Sequence, residues 1–69
     1  MEGTWEWKRD LAWRLYAPDG RWAGYVVGRL WRAITPEGNW SGDTGTETTP
    51  QRAREACEAT ARRIWEQGT

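Results

Sequence analysis

Sixty-nine residues allow one domain, and a domain of that size hides only about 60% of the surface its unfolded chain exposes, so its core must be dense. Ten Lys plus Arg balance ten Asp plus Glu, a formal charge of zero that excludes a global field drawing in nucleic acid or an anionic membrane. One cysteine and no histidine exclude an internal disulfide and the usual zinc spacings, which leaves packing, chiefly by seven tryptophans able to bury about 150–250 Å² each.

The charge is uneven along the chain. Residues 1–36 hold six basic and four acidic side chains, residues 37–50 hold three acidic and no basic ones, and the remainder is at +1. No apolar run approaches the roughly 18 residues of a membrane span, and Met1-Glu2-Gly3-Thr4 lacks the basic and apolar parts of a secretion signal. The expected location is therefore the cytoplasm, with no membrane partner.

From Trp5 to Leu15 the chain alternates, with Trp5, Trp7, Arg9, Leu11, Trp13 and Leu15 on odd positions and Glu6, Lys8, Asp10, Ala12 and Arg14 on even ones. That period of two fits one long strand or two short strands broken at Arg9-Asp10. Ala17-Pro18-Asp19-Gly20-Arg21 has the chemistry of a bulged hairpin, and Thr35-Pro36-Glu37-Gly38-Asn39 repeats it. Between them, Gly28-Arg29 suits a two-residue type II′ turn. Three turns predict an antiparallel meander of about four strands within residues 4–45.

The turns also predict a register: Leu15 opposite Ala23, Ala23 opposite Ile34, Ile34 opposite Trp40. Pleating then places Leu11, Trp13, Leu15, Ala23, Tyr25, Val27, Leu30, Ile34 and Trp40 on one face, as the core. The other face receives Ala12, Arg14, Tyr16, Trp22, Gly24, Val26, Trp31 and Ala33.

Residues 41–49, rich in Gly, Thr and acidic side chains, read as a strand end and loop. Thr49 as N-cap and Pro50 at the first helical position open a helix over about 50–67, with a stop at Gly68. Its small apolar stripe, Ala53, Ala56, Cys57, Thr60, Ala61, Ile64 and Trp65, fits closely over a floor of large side chains. The fold class is α+β, one domain over residues 1–69, with the C-terminal helix packed on one face of the meander.

Motifs for chemistry are few. Asp43-Thr44-Gly45 has the string of an aspartic protease loop, but Ser41, Gly42, Thr46 and Glu47 replace the apolar strand residues such a loop needs, so it reads as a polar loop. Cys57 has no imidazole to act as its base and lies on the helix stripe, where a buried inert thiol is expected. The glycines around residue 45 lack the Lys-Ser/Thr ending of a phosphate loop. A non-enzymatic chain with no cofactor and no metal is expected.

The second sheet face is the feature left over. Arg14, Tyr16, Trp22, Val26 and Trp31 make an aromatic and arginine patch of the residue types enriched in binding hot spots. Trp5 and Trp7 would cover part of it if they form an arm that folds back, and a homodimer would bury two copies. Protein docking is one reading of the patch. The alternative is a nucleic-acid-binding domain in which Arg14, Arg21, Arg29 and Arg32 pair with phosphates and Trp22 or Trp31 stacks on bases.

The Trp-rich strands, the Pro18-Asp19-Gly20 turn and Ala53-Arg54-Glu55-Ala56-Cys57-Glu58 in a final helix resemble the short sheet-plus-helix accessory proteins of phages and mobile elements. The resemblance implies a protein partner in a bacterial host, with the chain acting as a blocking inhibitor of a host or defence complex in the manner of an anti-CRISPR. The arrangement also looks like the arm-binding domains of integrases, which read DNA with basic sheet residues. The neutral charge departs from that pattern.

Overall fold

The computed structural model describes residues 4–67. Five strands, β1 (Glu6–Arg9), β2 (Trp13–Tyr16), β3 (Trp22–Val27), β4 (Leu30–Ile34) and β5 (Trp40–Thr46), precede one helix, α1 (Pro50–Gln67). The strands form a single antiparallel sheet in chain order. There is one more strand than expected. The alternation from Trp5 to Leu15 is broken at Asp10–Ala12 into β1 and β2, which pair with Trp7 opposite Leu15. Trp7 thus sits in the sheet on its helix side and is no arm over the other face.

The two Pro-containing hairpins close alike. Gly20 and Gly38 have φ of +90° and +88°, and each donates its N–H to the carbonyl three residues back, Ala17 and Thr35, at 2.8 Å. At the β3–β4 turn Gly28 has φ +61° while Arg29 does not enter the left-handed region, as a type II′ turn requires. Residue chemistry alone therefore places these three turns.

The pairing between β2 and β3 departs from expectation by one residue. Leu15 faces Gly24 and Tyr16 faces Trp22, so Ala23 is the extra residue of a β-bulge. Beyond it β3 and β4 run in the expected mutual register, with Gly24 opposite Ala33, and Ile34 faces Trp40 as expected. A slip of one residue exchanges the faces of everything that follows. Val26 and Trp31, expected on the open face, are core residues 1% and 8% exposed. Tyr25, Val27, Leu30 and Trp40, expected in the core, turn away from the helix, and Leu11 is fully exposed between β1 and β2.

The helix behaves as its stripe predicts. Thr49 Oγ1 accepts the Arg52 N–H at 3.1 Å as N-cap, and Ala53, Cys57, Thr60, Ala61 and Trp65 are buried, with Ala56 and Ile64 half-buried against the same core. The expected stop at Gly68 lies outside the described residues. Two clusters fill the space between α1 and the sheet: Leu15, Ala17, Ala23, Ala61 and Trp65, and beside them Val26, Trp31, Ala33, Ala53 and Cys57. Close approach is possible because Gly24 lies beneath the helix, where a Cβ would meet Cys57 Sγ at 2.6 Å.

Three indole N–H groups on the helix side find acceptors, and among the described residues no fully buried side-chain donor is orphaned. Trp7 donates to Glu58 at 2.9 Å, Trp31 to Glu47 at 3.1 Å, and Trp65 to the Ile34 carbonyl at 2.8 Å. Arginines cap the exposed ring faces: Arg54 over Trp13 at 4.4 Å, Arg21 over Trp65 at 4.7 Å and Arg62 over Trp5 at 5.5 Å. One side of the sheet is thereby closed. The other carries no helix.

Candidate functional site on the open sheet face

Three aromatic rings gather on the open face because the bulge turned β3 over. Trp22, Tyr25 and Trp40 have ring centroids 5.5–6.1 Å apart, with Trp40 tilted 60° to Tyr25 and 71° to Trp22. Trp22 is 41% exposed and Trp40 53%. The Trp22 indole N–H is held by the Gly24 carbonyl at 2.9 Å, which fixes that ring from its own strand.

Beside the rings runs a line of cations that the strand register creates. Lys8 faces Arg14, Arg14 faces Tyr25, Tyr25 faces Arg32 and Arg32 faces Thr44, so these five side chains form one row across the whole sheet. Strand spacing puts Arg14 and Arg32 about 10 Å apart and Lys8 and Arg32 about 14 Å apart. The ion pairs Arg21 with Asp19 and Arg62 with Glu58 lie outside this row. Lys8 lies over the Tyr16 ring at 5.4 Å and Arg32 over Trp40 at 5.2 Å. Arg14 makes no hydrogen bond, ion pair or ring contact among the described residues.

Trp40 divides this surface into two concavities of about 230 Å³ each. One is lined by Ala12, Arg14, Trp22, Tyr25 and Trp40 and contains no acidic side chain. The other is lined by Arg32, Ala33, Trp40, Gly42, Asp43 and Thr44, where β5 breaks register and Gly42 takes φ +90°. Ser41 Oγ donates to the Ala33 carbonyl at 3.1 Å and accepts the Asp43 N–H at 3.0 Å, which holds the irregular segment in place.

Of the residues singled out from sequence, Arg14, Tyr16 and Trp22 share this face, and the fold places Val26 and Trp31 on the opposite side of the sheet. Lys8, Tyr25 and Trp40 are the residues that sequence reasoning missed; Arg32, expected with Arg14, Arg21 and Arg29 to pair with phosphates, does lie in the row, whereas Arg21 pairs with Asp19 and caps Trp65. One signal pointed to them: a glycine inside a strand marks close backbone approach, so Gly24 belongs under the helix and its neighbour Tyr25 outside.

Cys57 is fully enclosed, its thiol donates to the Arg32 carbonyl at 3.3 Å, and burial, with the nearby Glu58 charge, pushes its pKa up to about 12. It is a protonated packing group at neutral pH. Among the described residues no cluster of acidic or sulfur side chains is arranged to hold a metal ion, and no helix is long and apolar enough to cross a membrane. Asp43, the acid of the protease-like string, lies on the edge strand beside Arg32 and Thr44 in the second concavity.

No known protein family matches this chain, nor does any curated protein or solved structure.

Proposed function

We propose that this chain is a non-enzymatic nucleic-acid-binding module that takes its ligand on the open face of the sheet. The observation that carries the reading is the row Lys8, Arg14, Tyr25 and Arg32 lying alongside Trp22 and Trp40. Cations that track phosphates next to rings that stack on bases are what a nucleic-acid platform needs, and both are exposed here.

The neutral total charge is compatible with this. Salt screens most of the interaction between solvent-exposed charges more than a Debye length apart, about 8 Å at physiological ionic strength, and the charges of α1 lie on the far side of the sheet. Glu55 and Glu58 on α1 therefore do little to the field on the open face, where Lys8, Arg14 and Arg32 outnumber Glu6 and Asp43. Local charge, not the sum, decides attraction.

A second reading, docking on a protein partner, is favoured by the mutual contact of Trp22, Tyr25 and Trp40, since Trp, Tyr and Arg dominate protein hot spots. The phage-inhibitor role implied by the resemblance belongs to it. A pull-down from a bacterial lysate, with and without nuclease and at two salt concentrations, separates the two. Nuclease-sensitive, salt-labile capture is expected. Capture that survives nuclease and high salt, and is lost in Trp40→Ala, would establish the protein partner instead.

A further inference from the structure

Resting on the nucleic-acid reading, we infer that the ligand is a single strand, laid across the β-strands with its phosphates on the Lys8–Arg14–Arg32 row and two unstacked bases on either side of Trp40. Geometry excludes the simplest duplex alternative. Five strands span about 19 Å between the outer two, whereas the B-DNA major groove is about 12 Å wide and admits a helix or a two-stranded ribbon. The sheet cannot enter that groove face-on. A duplex also keeps its base faces inside its own stack and offers only edges and phosphates, leaving the exposed rings of Trp22 and Trp40 without a role.

The two tracks lie in adjacent layers of the same register. Tyr16, opposite Trp22, is two residues beyond Arg14 on β2, and Ile34, opposite Trp40, is two residues beyond Arg32 on β4. Two residues of a strand advance about 7 Å, so a line of cations and a line of rings run side by side across the sheet. A single strand with its bases splayed to one side has that form. Trp40 stands nearly edge-on to Trp22, a contact that uses one ring face of the pair rather than two, and each concavity beside Trp40 pairs a ring with one arginine: Arg14 on one side, and on the other Arg32, which lies over the Trp40 ring.

The test is fluorescence anisotropy with a labelled 15-nucleotide oligothymidine, a labelled 15-base-pair duplex and labelled polyglutamate, at 50 and 200 mM NaCl. The single strand is expected to bind at least about tenfold more tightly than the duplex. With three phosphates neutralised, the single-strand slope of roughly −0.7 per contact predicts about a 20-fold loss of affinity over that salt range. Arg14→Gln should reduce the loss to about sevenfold. Trp40→Ala, with a far-ultraviolet spectrum matching the parent, should weaken binding at least about fivefold while leaving the salt slope unchanged. Asp43→Asn, by removing the one acid lining the Arg32 concavity, should tighten binding about twofold.

Duplex binding equal to or tighter than single-strand binding would overturn the single-strand inference and leave the nucleic-acid reading standing. An unchanged affinity in a folded Trp40→Ala would also overturn it. Polyglutamate bound as well as oligothymidine, or no binding to any of the three, would overturn both.

Discussion

The arrangement of faces turns on Gly24, and Gly24→Ala tests it. A Cβ there would lie 2.6 Å from Cys57 Sγ and 3.0 Å from the Arg32 carbonyl oxygen, distances that require the helix or strand β4 to move. Gly24 does not have positive φ, so alanine fits the backbone and gains about 0.4–1 kcal/mol by restricting the unfolded chain. Overpacking costs about 1–3 kcal/mol, so a net destabilisation of up to about 2.5 kcal/mol is expected. At about 4–8 °C per kcal/mol in a domain of this size, that is a fall of several degrees in Tm. Removing the sulfur should relieve the clash: in the Gly24→Ala background Cys57→Ala should cost about 1–2 kcal/mol less than it does alone. The assay is urea unfolding followed by tryptophan fluorescence for the parent, both single variants and the double. Additivity within about 0.5 kcal/mol would refute the close approach of α1 to residue 24, and with it the placement of Tyr25 on the open face.

The faces can be checked from the other side as well. Trp31→Ala should lose about 3–5 kcal/mol as a core truncation, whereas Trp40→Ala should lose less than about 1 kcal/mol; the reverse order in denaturant midpoints would restore the unbulged register. Cys57 supplies a pH signature. Its folded pKa is raised, so between about pH 9 and 12 the unfolded chain ionises first and stability attributable to this group falls as pH rises, by at most about 1.4 kcal/mol per unit. Parent and Cys57→Ala should therefore converge in urea midpoint between pH 8 and 10.5; parallel profiles would mean the thiol is open to solvent.

Much of the fold is legible in the sequence because its punctuation is chemically explicit. Pro18-Asp19-Gly20 and Pro36-Glu37-Gly38 define two hairpins through the φ they demand, and Thr49-Pro50 with the Ala53–Trp65 stripe defines the helix and its buried side. The break between β1 and β2 falls next to Arg9-Asp10, one of the two readings the alternation allows, and the choice stays open in the sequence because Leu11 and Trp13 continue the alternation through a turn that has no glycine or proline. The bulge at Ala23 is hidden for a related reason. An extra residue leaves no change in composition, yet it moves Tyr25, Arg32 and Trp40 to the open face and takes Val26 and Trp31 from it. Two of the five expected site residues were thus displaced by one residue of register. Arg14, Tyr16 and Trp22 escaped because they lie at or before the bulge.

Arg14 gives a way to separate a functional cation from a structural one. Like charges directly opposite on neighbouring strands destabilise a sheet, by roughly 0.2–1 kcal/mol relative to neutral pairs, and Arg14 faces Lys8 while making no compensating contact among the described residues. Lys8, in contrast, has the Tyr16 ring beneath it. Arg14→Glu should therefore replace a repulsion by an attraction and raise Tm by about 2–8 °C in low salt. The gain should largely vanish in 1 M salt, where the Debye length is about 3 Å. The same variant should lose oligothymidine binding, because it reverses charge in the middle of the cation row. Scanning calorimetry at 20 mM and 1 M NaCl reads the first effect and anisotropy the second. A lower Tm in low salt would mark Arg14 as part of the folding machinery and remove the reason for placing a phosphate beside it. A higher Tm with lost binding would mean that the free protein carries an unfavourable charge pair that only an anionic ligand neutralises.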